Sequence, residues 1–159
     1  MKANLLIYLS AILLFSAIHA SAQSMPVKVS AASVMLSEKA NDVEVWAYKI
    51  SLQNTGKELT NLVIKHRIYL HHENNPGGRK EQASPISFVE DKQAMDVLKA
   101  GATTALTTKG MDFAMDGSGK VKADKDILRG VWVRVFTADG KEVGSFVKPA
   151  SIAKKMPWQ

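Results

Sequence analysis

The chain has no cysteine. That single absence excludes a disulfide framework, a thiolate metal centre and a cysteine nucleophile. Aromatic residues are also scarce, at 7% of 159 residues, so the places where they gather carry information. No run of five or six like charges occurs. The formal net charge of +6 is therefore dispersed, which argues against nucleic acid as a partner. There is no Gly-x-Ser-x-Gly elbow, and Gly117-Ser118-Gly119 reads as a flexible loop. Acidic neighbours such as Glu90-Asp91 occur in any soluble domain, and nothing nominates a catalytic pocket. The chain reads as a non-enzyme with no cofactor.

Beyond residue 22 no long apolar run remains. Before it, Lys2 precedes an almost continuous apolar stretch from Leu5 to Ile18, and Ala20-Ser21-Ala22 has the small-x-small form of a cleavage site. Residues 1–22 are expected to be a secretory signal peptide. The apolar stretch falls short of the roughly 18–20 residues that span a bilayer, which disfavours an uncleaved anchor. Residues 23–159 are then expected to form one exported domain, periplasmic or extracellular. That length supports a core held by packing alone, with no membrane span after cleavage.

What the sequence has in quantity is alternation. In 43–54, VEVWAYKISLQN, Trp46, Tyr48, Ile50 and Leu52 share one face. In 59–72, Leu62, Ile64, His66, Ile68 and Leu70 share one face, and Lys65, Arg67, Tyr69 and His71 share the other. In 128–137, Val131, Val133 and Val135 alternate with Trp132, Arg134 and Phe136. Asp139-Gly140 separates that run from 141–148, a strong hairpin signal. Strands are also predicted at 27–36, 86–89 and 103–108. Residues 90–98 could form a helical turn, and Pro76-Gly77-Gly78 ends the strand before it. About seven strands with turns between them, and no long helices, predict an antiparallel β-sandwich of immunoglobulin-like architecture.

The stretch ISLQNTGKELTNLVIKHRIYL resembles the second and third strands of bacterial secreted immunoglobulin-like domains, through Asn54-Thr55-Gly56, Leu59, Asn61, Leu62 and Ile64. Leu98-Lys99-Ala100-Gly101 is similar to the leucine-x-x-glycine that precedes a central strand in that group. GVWVRVFTADGKEVGSF resembles its closing hairpin. The resemblance implies a fold, and roles in adhesion, as spacers or in uncharacterised exported proteins. It implies no catalytic residues, and the Cys…Trp…Cys pattern of antibody domains is missing.

Three of the four histidines lie in KHRIYLHHE. On a strand, His66 and His72 share a face about 20 Å apart, too far to share one ion. His66 is expected in the core. His71, His72 and Glu73 at the strand end form the alternative, a metal site completed by distant residues. Met111 and Met115 suit gap-filling better than copper. Asp112, Asp116, Asp124 and Asp126 lack calcium-loop spacing.

One constellation remains. If the third and sixth of these strands are neighbours, as in immunoglobulin-like sandwiches, their outward residues merge. Tyr69, Trp132 and Phe136 then lie among Lys65, Arg67 and Arg134. Such a face suits sugar rings, peptides or a protein surface. Cross-strand pairing alone can also account for it, and Met156-Pro157-Trp158 could cover it. The expected function is a non-catalytic binding or structural protein of the cell envelope or exterior. Tyr69, Trp132 and Phe136 would give contact area and Arg67 and Arg134 polar anchors, with an envelope glycan or protein as partner. The oligomeric state is open, since unprotected edge strands can pair.

Overall fold

Alternating apolar residues, spaced to place every second side chain inward, build nearly the whole structure. The computed structural model describes residues 25–39, 43–73, 86–114 and 125–158. The expected signal peptide, 1–22, and the glycine loop around Ser118 lie outside the described residues. The elements are β1 (Val27–Lys39), β2 (Val43–Asn54), β3 (Leu59–Glu73), β4 (Ile86–Leu98), β5 (Thr103–Thr107), β6 (Met111–Ala114), β7 (Lys125–Phe136), β8 (Glu142–Lys148) and a short helix α1 (Ser151–Lys155).

Two antiparallel sheets result. One has the order β1-β2-β5, with β6 also paired to β2; the other has the order β4-β3-β7-β8. Tyr48, Ile50 and Leu52 from β2 pack against Leu62, Ile64 and Ile68 from β3 and against Val131, Val133 and Val135 from β7. Each such side chain contributes about 1.5–3 kcal/mol by leaving water.

The expected neighbours β3 and β7 do pair, with Lys65 opposite Arg134 and Arg67 opposite Trp132. Beyond Tyr69 the register shifts, so that Tyr69 faces Gly130 but Leu70 faces Leu128. Arg129 is the extra residue of this bulge. The bulge resets the alternation and returns Leu128 to the core side.

Four readings of the sequence need correction. Residues 86–98 form one strand of 13 residues, not a short strand followed by a helical turn. β6 was not expected, and it brings the strands among the described residues to eight rather than about seven. The short helix α1 was not expected either. Its Ile152 is buried and packs over Gly130, where an added Cβ would lie 2.5 Å from Ile152 Cδ1 and 2.7 Å from Pro149 Cδ. Glycine at 130 is required by that close approach rather than by backbone freedom. Tyr69 is the fourth: it is buried rather than exposed.

β5 and β6 occupy the same side of β2, one after the other. β5 pairs with residues 49–53 and β6 with 43–46. Between them Thr108 is buried and clasps Tyr48: Tyr48 N–H donates to Thr108 Oγ1, and Thr108 N–H donates to the Tyr48 carbonyl oxygen, each at 2.9 Å.

Candidate interaction face

The outward residues of β3 and β7 converge as their register requires. Lys65, Arg67, Trp132, Arg134 and Phe136 lie on the outer surface of the four-stranded sheet. Each arginine is braced by a carboxylate from a flanking strand. Arg67 Nε donates to Glu90 Oε2 at 2.6 Å, from β4. Arg134 donates to Glu142 Oε2 through Nε at 3.1 Å and Nη2 at 2.5 Å, from β8. Partly exposed pairs of this kind contribute only about 0.2–1 kcal/mol. Their larger effect is to fix the guanidinium planes.

The aromatic rings use those fixed planes. The Arg67 guanidinium lies 4.4 Å from the Phe88 ring centroid and 4.5 Å from that of Trp158. Arg134 lies 4.9 Å from Phe136 and 5.6 Å from Trp158. Lys65 Nζ is 5.3 Å from Phe136. Trp158 also meets Trp132 edge to face at 5.6 Å. The result is a row of alternating cations and rings across the sheet, with Trp158 at its centre. Each cation–ring contact at a partly exposed site contributes on the order of 0.5–1 kcal/mol.

Tyr69 is not in this row. It was expected to be exposed beside Trp132 and Phe136, and it is instead fully buried, at 0% exposure. Alternation placed it on the correct side of β3, but its cross-strand neighbour is Gly130, over which Ile152 packs. Its ring meets Phe88 at 5.8 Å, and its hydroxyl has no hydrogen-bond partner among the described residues. Burial pushes the Tyr69 phenol up, against the opposing pull of the Arg67 guanidinium. Tyr69 therefore supplies no surface contact area.

Sequence reasoning missed Phe88, Glu90 and Glu142 as parts of the face. Trp158 was foreseen as a cover; it is also a component. The signal for Phe88 and Glu90 was their even spacing on a strand, which became readable only with 86–98 taken as one strand.

The histidines divide as their spacing requires. His66 is buried in the core, at 1% exposure, and its Nδ1 has no partner among the described residues. Burial lowers its pKa, partly offset by Asp91 across the strand pair. His71 is half-buried. The side chains of His72 and Glu73 lie outside the described residues, so the alternative metal site gains no support. Among the described residues no three His, Asp or Glu side chains gather to hold an ion.

No family model matches this chain. No curated relative matches it either. The solved structures to which it is similar include small all-β proteins. The structural genomics target SoR45 shares 10% identity over 77% of this chain and 84% of its own, with a TM-score of 0.40. The E. coli curli protein CsgC shares 12% identity over 77% of this chain and 98% of its own, at 0.38. The putative ApaA protein from Bordetella pertussis shares 14% over 76% of this chain and 90% of its own, at 0.39.

Proposed function

We propose that this is an exported, non-catalytic binding or structural protein of the cell envelope or exterior. In this reading it is an immunoglobulin-like sandwich that recognises a glycan, peptide or protein through the outer face of the β3–β7 sheet. Trp132, Phe136 and Trp158 supply contact area, and Arg67 and Arg134 supply polar anchors.

The observation that supports it is the bracing of both arginines. Glu90 and Glu142 hold the guanidiniums within about 4–6 Å of the ring centroids. A face ordered in advance loses little side-chain entropy on binding, and arginines and aromatics dominate interface energetics. The strand order, with β3 beside β7 and β1 beside β2, supports the immunoglobulin-like reading.

The test is capture by immobilised residues 23–159 from envelope fractions and glycan panels, with Trp132→Ala and Arg134→Ala run in parallel. Loss of a specific partner in folded variants supports the reading. Equal capture by all three proteins, or no capture, makes the face a structural device. Metal content measured on the same preparation decides the alternative at His71, His72 and Glu73.

A further inference from the structure

A sandwich keeps apolar side chains on the two faces that meet, and a polar one there calls for a reason. Along the inner face of β1 the residues run Val27, Val29, Ala31 and Ser33. Ala31 lies opposite the core residue Ile50, and Ser33 lies opposite the core residue Tyr48. At the valine end β1 and β8 approach closely: a Cβ on Gly144 would lie 2.7 Å from the Val27 carbonyl oxygen and 2.9 Å from Val29 Cγ2. Beside the smaller Ala31 and Ser33 there is instead a cleft of about 230 Å³ between the sheets.

The opposite wall breaks the apolar rule twice more. Lys148 stands opposite the buried Val131 in register, so it shares the inner face of its sheet. Arg129 is the extra residue of the β7 bulge, and bulges re-aim side chains. Both residues line the cleft, and no carboxylate does. Both are exposed at its mouth. Neither makes an ion pair among the described residues. Two like charges at one mouth repel, and an anion between them converts that repulsion into attraction.

The remaining walls suit the rest of a small molecule. Ala31, Leu128 and Pro149 are apolar, and Ser33 and Tyr48 bring hydroxyls. Burial pushes the Tyr48 phenol up, so its hydroxyl stays protonated and able to donate. The cleft is smaller than the roughly 300–1,000 Å³ of pockets for drug-sized ligands, which limits the occupant to a few non-hydrogen atoms beyond its charged group.

We propose that this cleft is a binding site for a small organic carboxylate with a compact aliphatic body. Arg129 and Lys148 hold the carboxylate, and the arginine can give it two parallel N–H bonds. The aliphatic body lies against Ala31, Leu128 and Pro149. An inorganic anion would leave that apolar wall facing water. The carboxylate can belong to a free acid or to the end of a peptide. This site lies between the sheets, apart from the outward row of Arg67, Arg134 and Trp158, and stands without the function proposed for that row.

The probes are isovalerate and acetyl-Ala-Ala with a free carboxylate, each titrated at constant ionic strength into ¹⁵N-labelled residues 23–159. Saturable shifts are expected for amides within 31–33 and 128–130 and at Lys148. Isovaleramide, which has the same shape and no charge, should bind about tenfold more weakly, since it forfeits the charged hydrogen bonds. Arg129→Gln and Lys148→Gln should each weaken isovalerate by a similar factor. Lys141→Gln, in the β7–β8 turn, should leave binding unchanged. Saturation by either carboxylate supports the proposal, and the tighter of the two names the source. Equal binding of isovaleramide overturns it, as does equal weakening by Lys141→Gln. Inorganic phosphate binding as tightly as isovalerate also overturns it, because the cleft then holds an adventitious ion only. Absence of saturation by both carboxylates overturns it too, and the inward cations then only keep the β1 and β8 edges from pairing with other chains.

Discussion

The side-chain amide of Asn54 donates a hydrogen bond to the Leu98 carbonyl oxygen at 3.0 Å, joining two turns 44 residues apart. The same nitrogen donates to the Lys57 carbonyl oxygen at 2.7 Å and lies 3.3 Å from that of Lys99. The Asn54 main chain adds two bonds, to Gly101 and Ala102. Asn54 is thus the staple between the turn after β2 and the turn after β4, and it is fully buried. Replacing it with alanine strands the buried Leu98 carbonyl, at about 1–3 kcal/mol, and removes the part-buried bonds to Lys57 and Lys99. Asn54→Ala should lower unfolding stability in urea by about 2–4 kcal/mol. Asn54→Asp should do no better, because a carboxylate cannot donate.

Asn61 carries a positive φ of 52° within β3. Asparagine tolerates this region far better than β-branched residues do. Asn61→Gly should leave stability unchanged or raise it by a few tenths of a kcal/mol. Asn61→Val should lower it by about 1–2 kcal/mol in the same urea titration.

The lowered pKa of His66 makes stability depend on pH. The unfolded chain takes its proton near 6.5, before the folded chain does. The neutral, buried form therefore stabilises the fold fully above that value, and its contribution is lost as pH falls through and below it. Unfolding stability should decline between pH 7 and pH 5, by at most about 1.4 kcal/mol per pH unit from this group. The His66→Gln variant should show a flatter profile over the same interval.

Trp158 holds the centre of the outer row through contacts to Trp132, Arg67 and Arg134. Trp158→Ala should keep the far-UV spectrum, lose part of the near-UV aromatic signal, and cost about 1–2 kcal/mol by the loss of two cation–ring contacts and an edge-to-face pair. A near-UV spectrum unchanged by the substitution would show that the indole is not ordered on this face in solution.

The sequence made some of this legible and hid the rest for physical reasons. β2 was read to its end residues because its second half alternates cleanly, Ile50 and Leu52 against Lys49 and Gln53; in its first half Val45 and Ala47 are buried as well as Tyr48. The three inward valines of β7 and the Asp139-Gly140 turn, with Gly140 at φ 84°, behaved likewise. β4 was misread because it is an edge strand. Glu90, Asp91 and Lys92 are all exposed, so no apolar side remains to show a period of two. β6 has only four residues, too few to alternate visibly. The burial of Tyr69 could not be read locally at all. It depends on a glycine 61 positions later in the numbering, opposite it in register, and on a helix later still.

The splice in the first sheet has a thermodynamic consequence. Because β5 and β6 are separate strips on β2, each can detach without the other, so they open as distinct units with their own free energies. β5 leads directly from the turn stapled by Asn54. β6 is held by four register positions on β2, against five for β5, and carries Met111, which lines a cleft of about 500 Å³ together with His66 and Ile68. The shorter strip is expected to open at the lower free energy, at the end of β2 that carries Val43 to Trp46.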